Sequence, residues 1–181
     1  MSFLVISCSL NPNSRSRILA RTAHARLLQM GLDADFIDLQ DFTLPFCDGD
    51  ACYEEPVVQE LARRIQDAEG LLVATPVYNF DVNAAAKNLL ELTGSSWADK
   101  VVGFLCAAGG RTSYMAVMGF ANSLMLDCRC TVVPRFVYAT DAAFRGDEAT
   151  DEVVLERIDE VAASVVRYAR ALSPLPQDST E

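Results

Sequence analysis

The chain has 181 residues, 51% of them hydrophobic, with a formal net charge of −10 and six cysteines. That length suits one domain with its own core, and the apolar content excludes intrinsic disorder. The acidic balance argues against nucleic acid, whose phosphates need clustered Lys and Arg, and no apolar run approaches the ~20 residues of a membrane span.

In chain order, apolar runs alternate with helical patterns. Phe3–Ser7 reads as a strand, and Ser14–Met30 as an amphipathic helix with Ser14 as its N-cap and Gly31 beyond its end. Ala34–Asp38 reads as a second, short strand. A polar loop, Leu39–Glu55, carries five acids together with Cys47 and Cys52. Pro56–Asp67 is helical, with proline at its favoured first position. Gly70–Thr75 reads as strand, Asn83–Leu92 as helix, Lys100–Ala107 as strand and Thr112–Asp127 as helix. Cys130–Val137 is the last expected strand, Thr140–Thr150 a loop and Asp151–Leu172 a long final helix. The expectation is a single domain over residues 1–173 and a mobile tail over 174–181. The opening MSFLVIS has no basic leader region, so a cytoplasmic protein is expected.

Strands that are apolar without alternation are covered on both faces. Five βα units with right-handed crossovers then make a doubly wound α/β sandwich. Ligands of such sheets bind beyond the carboxyl ends of the strands. The loops that matter are Cys8–Ser14, Pro76–Val82 and Ala108–Thr112.

The cysteines show no CxxC pair, and His24 is the single histidine, so neither a zinc site nor a disulfide framework is expected. Cys106 and Cys130 fall in expected strands as small hydrophobes, whereas Cys47 and Cys52 could be exposed thiols.

The first loop admits several readings. It has no Gly or Lys, which removes the Walker and GxGxxG phosphate loops. A tyrosine-phosphatase loop needs Cys, five residues, then Arg and Ser. Here six residues separate Cys8 from Arg15, Pro12 lacks an N–H, and the chain has no Asp-Pro. A third reading is the phosphate of flavin mononucleotide (FMN), held by the hydroxyls of Ser9, Ser14 and Ser16, by Asn13, and by N–H groups opening the helix. Arg15 or Arg17 could add charge. By itself the loop serves equally well as a turn with a helix cap.

The other loops bear on the choice. Pro76 stiffens the backbone, Tyr78 offers a flat face with a polar tip, and the Asn79 amide can donate and accept. The N–H groups of Val77, Tyr78, Asn79 and Phe80 could meet a flat heteroaromatic ring. Gly109 and Gly110 permit close approach or positive φ, and Arg111 could attract a pyridine nucleotide.

Taken together these residues resemble the NAD(P)H-dependent FMN reductase family. Ser9, Leu10 and Ser14 match its first loop, with Asn11 where the family has Arg, Cys8 where it has Gly and Ser16 where it has Asn. Thr75, Pro76, Tyr78, Asn79, Lys87 and Asn88 match its second loop and helix, with Asn83–Ala84 in place of Pro-Gly. The third loop matches in its Gly pair.

The resemblance implies a flavodoxin-like three-layer sandwich whose five parallel strands run in the order 2-1-3-4-5. It implies FMN as cofactor and NAD(P)H as co-substrate. Hydride would pass through FMN to free FMN, a quinone or a similar small acceptor, in ping-pong fashion. No acid–base residue is required, and Tyr78 is the best candidate for a side chain beside the ring. It also implies a homodimer or homotetramer. Two other readings remain: a flavodoxin-like electron carrier, which would sandwich the flavin between two aromatics, and a flavin-free sensor or interaction protein on the same fold.

Overall fold

The computed structural model describes residues 2–172; the expected tail over 174–181 lies outside them. Strand β1 (Ser2–Ser7) is followed by α1 (Arg15–Gln29), β2 (Asp33–Asp38), α2 (Pro56–Asp67) and β3 (Gly70–Tyr78). A two-residue strand β4 (Asp81–Val82), helix α3 (Ala84–Thr93), β5 (Val101–Ala108) and α4 (Met118–Leu126) come next. The chain closes with β6 (Thr131–Val132), β7 (Val137–Thr140), a small hairpin β8 (Phe144–Arg145) and β9 (Glu148–Ala149), and α5 (Glu152–Leu172).

The main sheet runs β2-β1-β3-β5, with β6 and β7 both parallel to β5 on its far side. This is the expected 2-1-3-4-5 order with its fifth strand in two pieces. Thr131 pairs with Val101, but Val137 pairs with Leu105, so two extra residues bulge out between them. Pro134 has no N–H for the ladder and Arg135 sits at φ 63°. A two-residue insertion preserves the alternation of faces, and Val137 and Ala139 still point into the core. The expected loop at Thr140–Thr150 holds the β8–β9 hairpin. The expected helix at Thr112–Asp127 opens instead as a 3-10 turn over Tyr114–Val117.

Successive side chains of β1 point to opposite faces. Leu4 and Ile6 pack with Leu61 and Ile65 of α2, Leu89 of α3 and Leu124 of α4. Phe3 and Val5 pack with Leu19 and Leu27 of α1 and Val161 and Val165 of α5. That two-sided burial is what an unbroken apolar strand requires. Gly103 sets how closely α5 lies on the sheet, since a Cβ there would come within 2.8 Å of Val161.

Candidate functional site

Three strand ends converge on a cleft of about 200 Å³. The segment after β1 contributes Ser9, Asn11, Asn13, Ser14, Arg15 and Ser16; the end of β3 contributes Pro76, Val77 and Tyr78; the end of β5 contributes Ala107, Ala108 and Gly109. Ten of the fourteen residues expected at a cofactor site therefore share one wall or another. Asn79, Phe80, Gly110 and Arg111 do not line it. Asp141, which nothing in the sequence suggested, does.

The first loop is shaped by a buried residue. Arg17 makes a bidentate pair with Asp38 at the end of β2, its Nε on Oδ2 and its Nη2 on Oδ1. Its remaining N–H groups donate to the carbonyls of Asn11 (2.7 Å), Pro12 (3.1 Å) and Ser9 (3.0 Å). All five guanidinium donors are thus engaged within the protein. Arg17 is a strut under the loop, and the expectation that it could add charge to a ligand is corrected. Because the Ser9 carbonyl turns toward Arg17, the planar trans peptide turns the Leu10 N–H away from it.

Above that strut the loop presents neutral donors. Ser14 caps α1, its Oγ accepting from the Arg17 N–H at 3.3 Å, and its hydroxyl lies 2.9 Å from that of Ser16. The Ser9 hydroxyl accepts from the Asn11 N–H at 3.3 Å, leaving its own hydrogen to donate. Asn13 N–H is taken by the Asn11 side chain at 3.0 Å, so Asn11 and Asn13 build the turn. Helix geometry leaves the N–H groups of Arg15 and Ser16 without intrahelical acceptors. Arg15 is paired with Asp141 and lies 5.6 Å over the Phe144 ring. Each cation beside the cleft is thus neutralised, and attraction for an anion comes from the hydroxyls and the positive end of α1.

The second wall is fastened by Asn83, which the sequence marks as a helix start and as a departure from the family's Pro-Gly. Asn83 is buried at the start of α3. Its amide donates to the Cys8 carbonyl at 2.7 Å, and its Oδ1 accepts from the Thr75 hydroxyl at 3.0 Å. One side chain thereby ties the end of β1 to the end of β3. Asn88 plays a similar part outside the cleft: it donates to the Pro45 carbonyl and accepts from the Cys47 N–H, both at 2.9 Å.

Beyond Pro76 the chain turns back through β4, pairing Val77 with Val82 and Tyr78 with Asp81. Asn79 and Phe80, at φ 52° and 63°, form the two-residue turn. Asn tolerates that region, whereas a Phe there costs of order 1–3 kcal/mol. The Phe80 ring is 66% exposed, so burial within this chain does not offset the strain.

The glycine pair does not need positive φ, because neither Gly109 nor Gly110 lies in the left-handed region. A Cβ on either would meet nothing within 4 Å. The fold leaves free space there, which is room for a ligand at Gly109. Gly110 faces elsewhere and accepts from the Tyr138 hydroxyl. Arg111 is exposed outside the cleft.

The nucleophile reading of Cys8 does not survive. Its thiol is fully buried in the sheet core, and burial pushes its pKa upward, with the Asp38 charge adding to it. A buried neutral thiol cannot serve as a phosphatase nucleophile. Among the described residues, no group of three or more His, Cys, Asp or Glu could hold a metal, and no helix is long and apolar enough to cross a membrane.

The model of the NADPH-dependent FMN reductase family matches residues 1–145. An FMN reductase (NADPH) from Pseudomonas putida is 32% identical over 185 aligned positions, covering 94% of this chain and 92% of that one. An NAD(P)H-dependent FAD/FMN reductase from Geobacillus thermodenitrificans is 30% identical over 139 residues, 75% of each chain. Among solved structures, the NAD(P)H:(acceptor) oxidoreductase of Paracoccus denitrificans superposes with a TM-score of 0.74 at 20% identity, over 92% of this chain and 97% of that one. With the family pattern spanning β1 to β8 and the cleft falling inside it, this chain belongs to the NADPH-dependent FMN reductase family, flavin oxidoreductases on a flavodoxin-like fold.

Proposed function

We propose that the cleft holds FMN and that the protein transfers hydride from NAD(P)H to a small acceptor such as free FMN or a quinone. The observation that carries this reading is the cleft's two-ended character. At one end the hydroxyls of Ser9, Ser14 and Ser16 gather at the N-terminus of α1. At the other, Pro76, Val77 and Tyr78 at the end of β3 line the cleft beside Ala107, Ala108 and Gly109 at the end of β5. The first end suits a phosphate dianion through neutral donors and the helix dipole. The second suits a planar ring, and the space where a Gly109 Cβ would stand supports close approach there.

FMN bound there would supply the redox chemistry, relaying hydride from NAD(P)H to the acceptor in ping-pong alternation. The chain's own residues bind and orient. Arg17 and Asp38 hold the phosphate loop in shape, Arg15 screens the Asp141 carboxylate from the anion, and Asn83 keeps the two loops in register. Tyr78, half exposed, flanks the ring site without an acid–base part. Phe80 stands outside the cleft, so Tyr78 is its single aromatic wall. A cleft with one aromatic wall, where an electron carrier would sandwich the ring between two, supports a reductase.

The exposed side chains of Tyr78, Phe80, Met115 and Met118, on elements packed together beside the cleft, support a homodimer or homotetramer, which light scattering after size exclusion would measure. For the cofactor, the protein is mixed with FMN, desalted, and its visible spectrum recorded before and after anaerobic NADPH or NADH. A retained flavin band that bleaches with either nucleotide is expected. A colourless protein would overturn tight FMN binding, and a band bleached by neither would turn the reading to an electron carrier.

A further inference from the structure

Two of the six thiols meet in a part of the chain that the cleft does not use. Cys47 and Cys52 bracket the segment Asp48–Ala51 of the acidic loop, and their Sγ atoms lie 4.0 Å apart. A disulfide is about 2.05 Å long, so side-chain rotation and a small shift of an exposed loop close the gap. Both backbones are held for the encounter. Cys47 N–H donates to Asn88 Oδ1 at 2.9 Å, and Cys52 N–H donates to Asp48 Oδ1 at 3.2 Å.

Access separates this pair from the other thiols. Cys47 is half-buried, and Cys52 lies behind it against Val58 and Leu92. Cys8, Cys106, Cys128 and Cys130 are all buried. An oxidant arriving from solvent therefore meets Cys47 first and finds Cys52 as its nearest sulfur partner.

We propose that Cys47 and Cys52 form a second redox site, a dithiol that a small uncharged hydroperoxide converts into an intramolecular disulfide. The Cys47 thiolate attacks the peroxide: an S–O bond forms, the O–O bond breaks, and the alkoxide or hydroxide leaves and takes up the thiol proton. Cys52 sulfur then attacks the Cys47 sulfenic sulfur: the S–S bond forms, the S–O bond breaks, and hydroxide leaves with the Cys52 proton as water. Two thiols lose two electrons, and one peroxide becomes an alcohol (or water) plus water.

The surroundings set the order of attack. The Tyr53 hydroxyl lies 3.5 Å from Cys47 Sγ; that contact pushes the phenol up to about 12, so it keeps its proton and can donate to a Cys47 thiolate. Burial, and then the Asp48 carboxylate, push the Cys52 thiol up, which suits the resolving partner. The acids Asp41, Asp48, Asp50, Glu54 and Glu55 in this stretch repel anionic oxidants such as glutathione disulfide and leave hydrogen peroxide unhindered.

The test uses the full-length protein, reduced, desalted and exposed to hydrogen peroxide or to equal glutathione disulfide, with thiols then counted in denaturant. Peroxide should lower the count from six to four, with a mass loss of about 2 Da, a linked Cys47–Cys52 peptide and full reversal by dithiothreitol. Cys52→Ser should stop at a Cys47 sulfenic acid that dimedone traps, and glutathione disulfide should act at least about tenfold more slowly. Six retained thiols, a sulfenic acid persisting in the wild type, loss at any of the four buried cysteines, or equal rates with the two oxidants would each overturn the proposal. The readout is independent of flavin binding.

Discussion

Asp38→Asn removes the counter-charge of Arg17 without changing the size of the side chain. The two residues are 7% and 5% exposed, so the substitution leaves a guanidinium buried and unbalanced. Breaking one partner of a buried ion pair costs about 3–5 kcal/mol. With an unfolding entropy of roughly 2.1 cal/mol/K per residue, that is a fall of about 10 °C in Tm for a chain of this size. The amide oxygen can still accept one of the two Arg17 hydrogen bonds, which points to the lower half of the range. Urea denaturation at neutral pH measures it. A loss below about 1 kcal/mol would refute the reasoning, because the charge of Arg17 would then be balanced by something other than Asp38. A second arm separates stability from shape. Arg17→Met with Asp38→Leu removes both charges and should recover much of the stability. It also strips the carbonyls of Ser9, Asn11 and Pro12 of their donors. On the proposed reading, FMN affinity in the double variant should stay at least about tenfold below wild type. Wild-type affinity there would show that the loop holds its form without the strut.

Three further substitutions probe the cleft. Ser14→Asp keeps a good N-cap for α1 while setting a negative charge where a phosphate would sit, so thermal stability should hold while FMN binding, measured by fluorescence quenching, falls at least about tenfold. Gly109→Val enters open space, so stability should move by no more than about 0.5 kcal/mol while the same titration shows weakened binding; unchanged affinity would place the ring elsewhere. Asn83→Ala leaves the Cys8 carbonyl and the Thr75 hydroxyl without their amide partner and should cost about 1–3 kcal/mol in urea melts.

Local signals in the sequence agree with the structure where their physics is local. Helix α2 begins at Pro56 and ends at Asp67, as its proline and apolar spacing predict. Ser14 caps α1 as its position before the periodic run predicts. The strand expected at Cys130–Val137 is broken after Val132 and resumes at Val137, because Pro134 interrupts the ladder. At the Gly109–Gly110 pair the structure shows open space and no left-handed backbone.

The sequence by itself determined a βα alternation with doubly buried strands and a hydroxyl-rich loop at a helix N-terminus. These follow from side-chain period and backbone chemistry within a few residues. Only the tertiary structure decided which charges face that loop. Arg15 and Arg17 look alike on the page, yet one is paired with Asp141 across the sheet and the other with Asp38 from the neighbouring strand. The Asn83 amide reaches the carbonyl of Cys8, 75 residues away, and Cys47 finds Cys52 through the path of one loop. Such pairings depend on strand order and loop path, which bring distant residues within hydrogen-bond reach, and no local propensity encodes them.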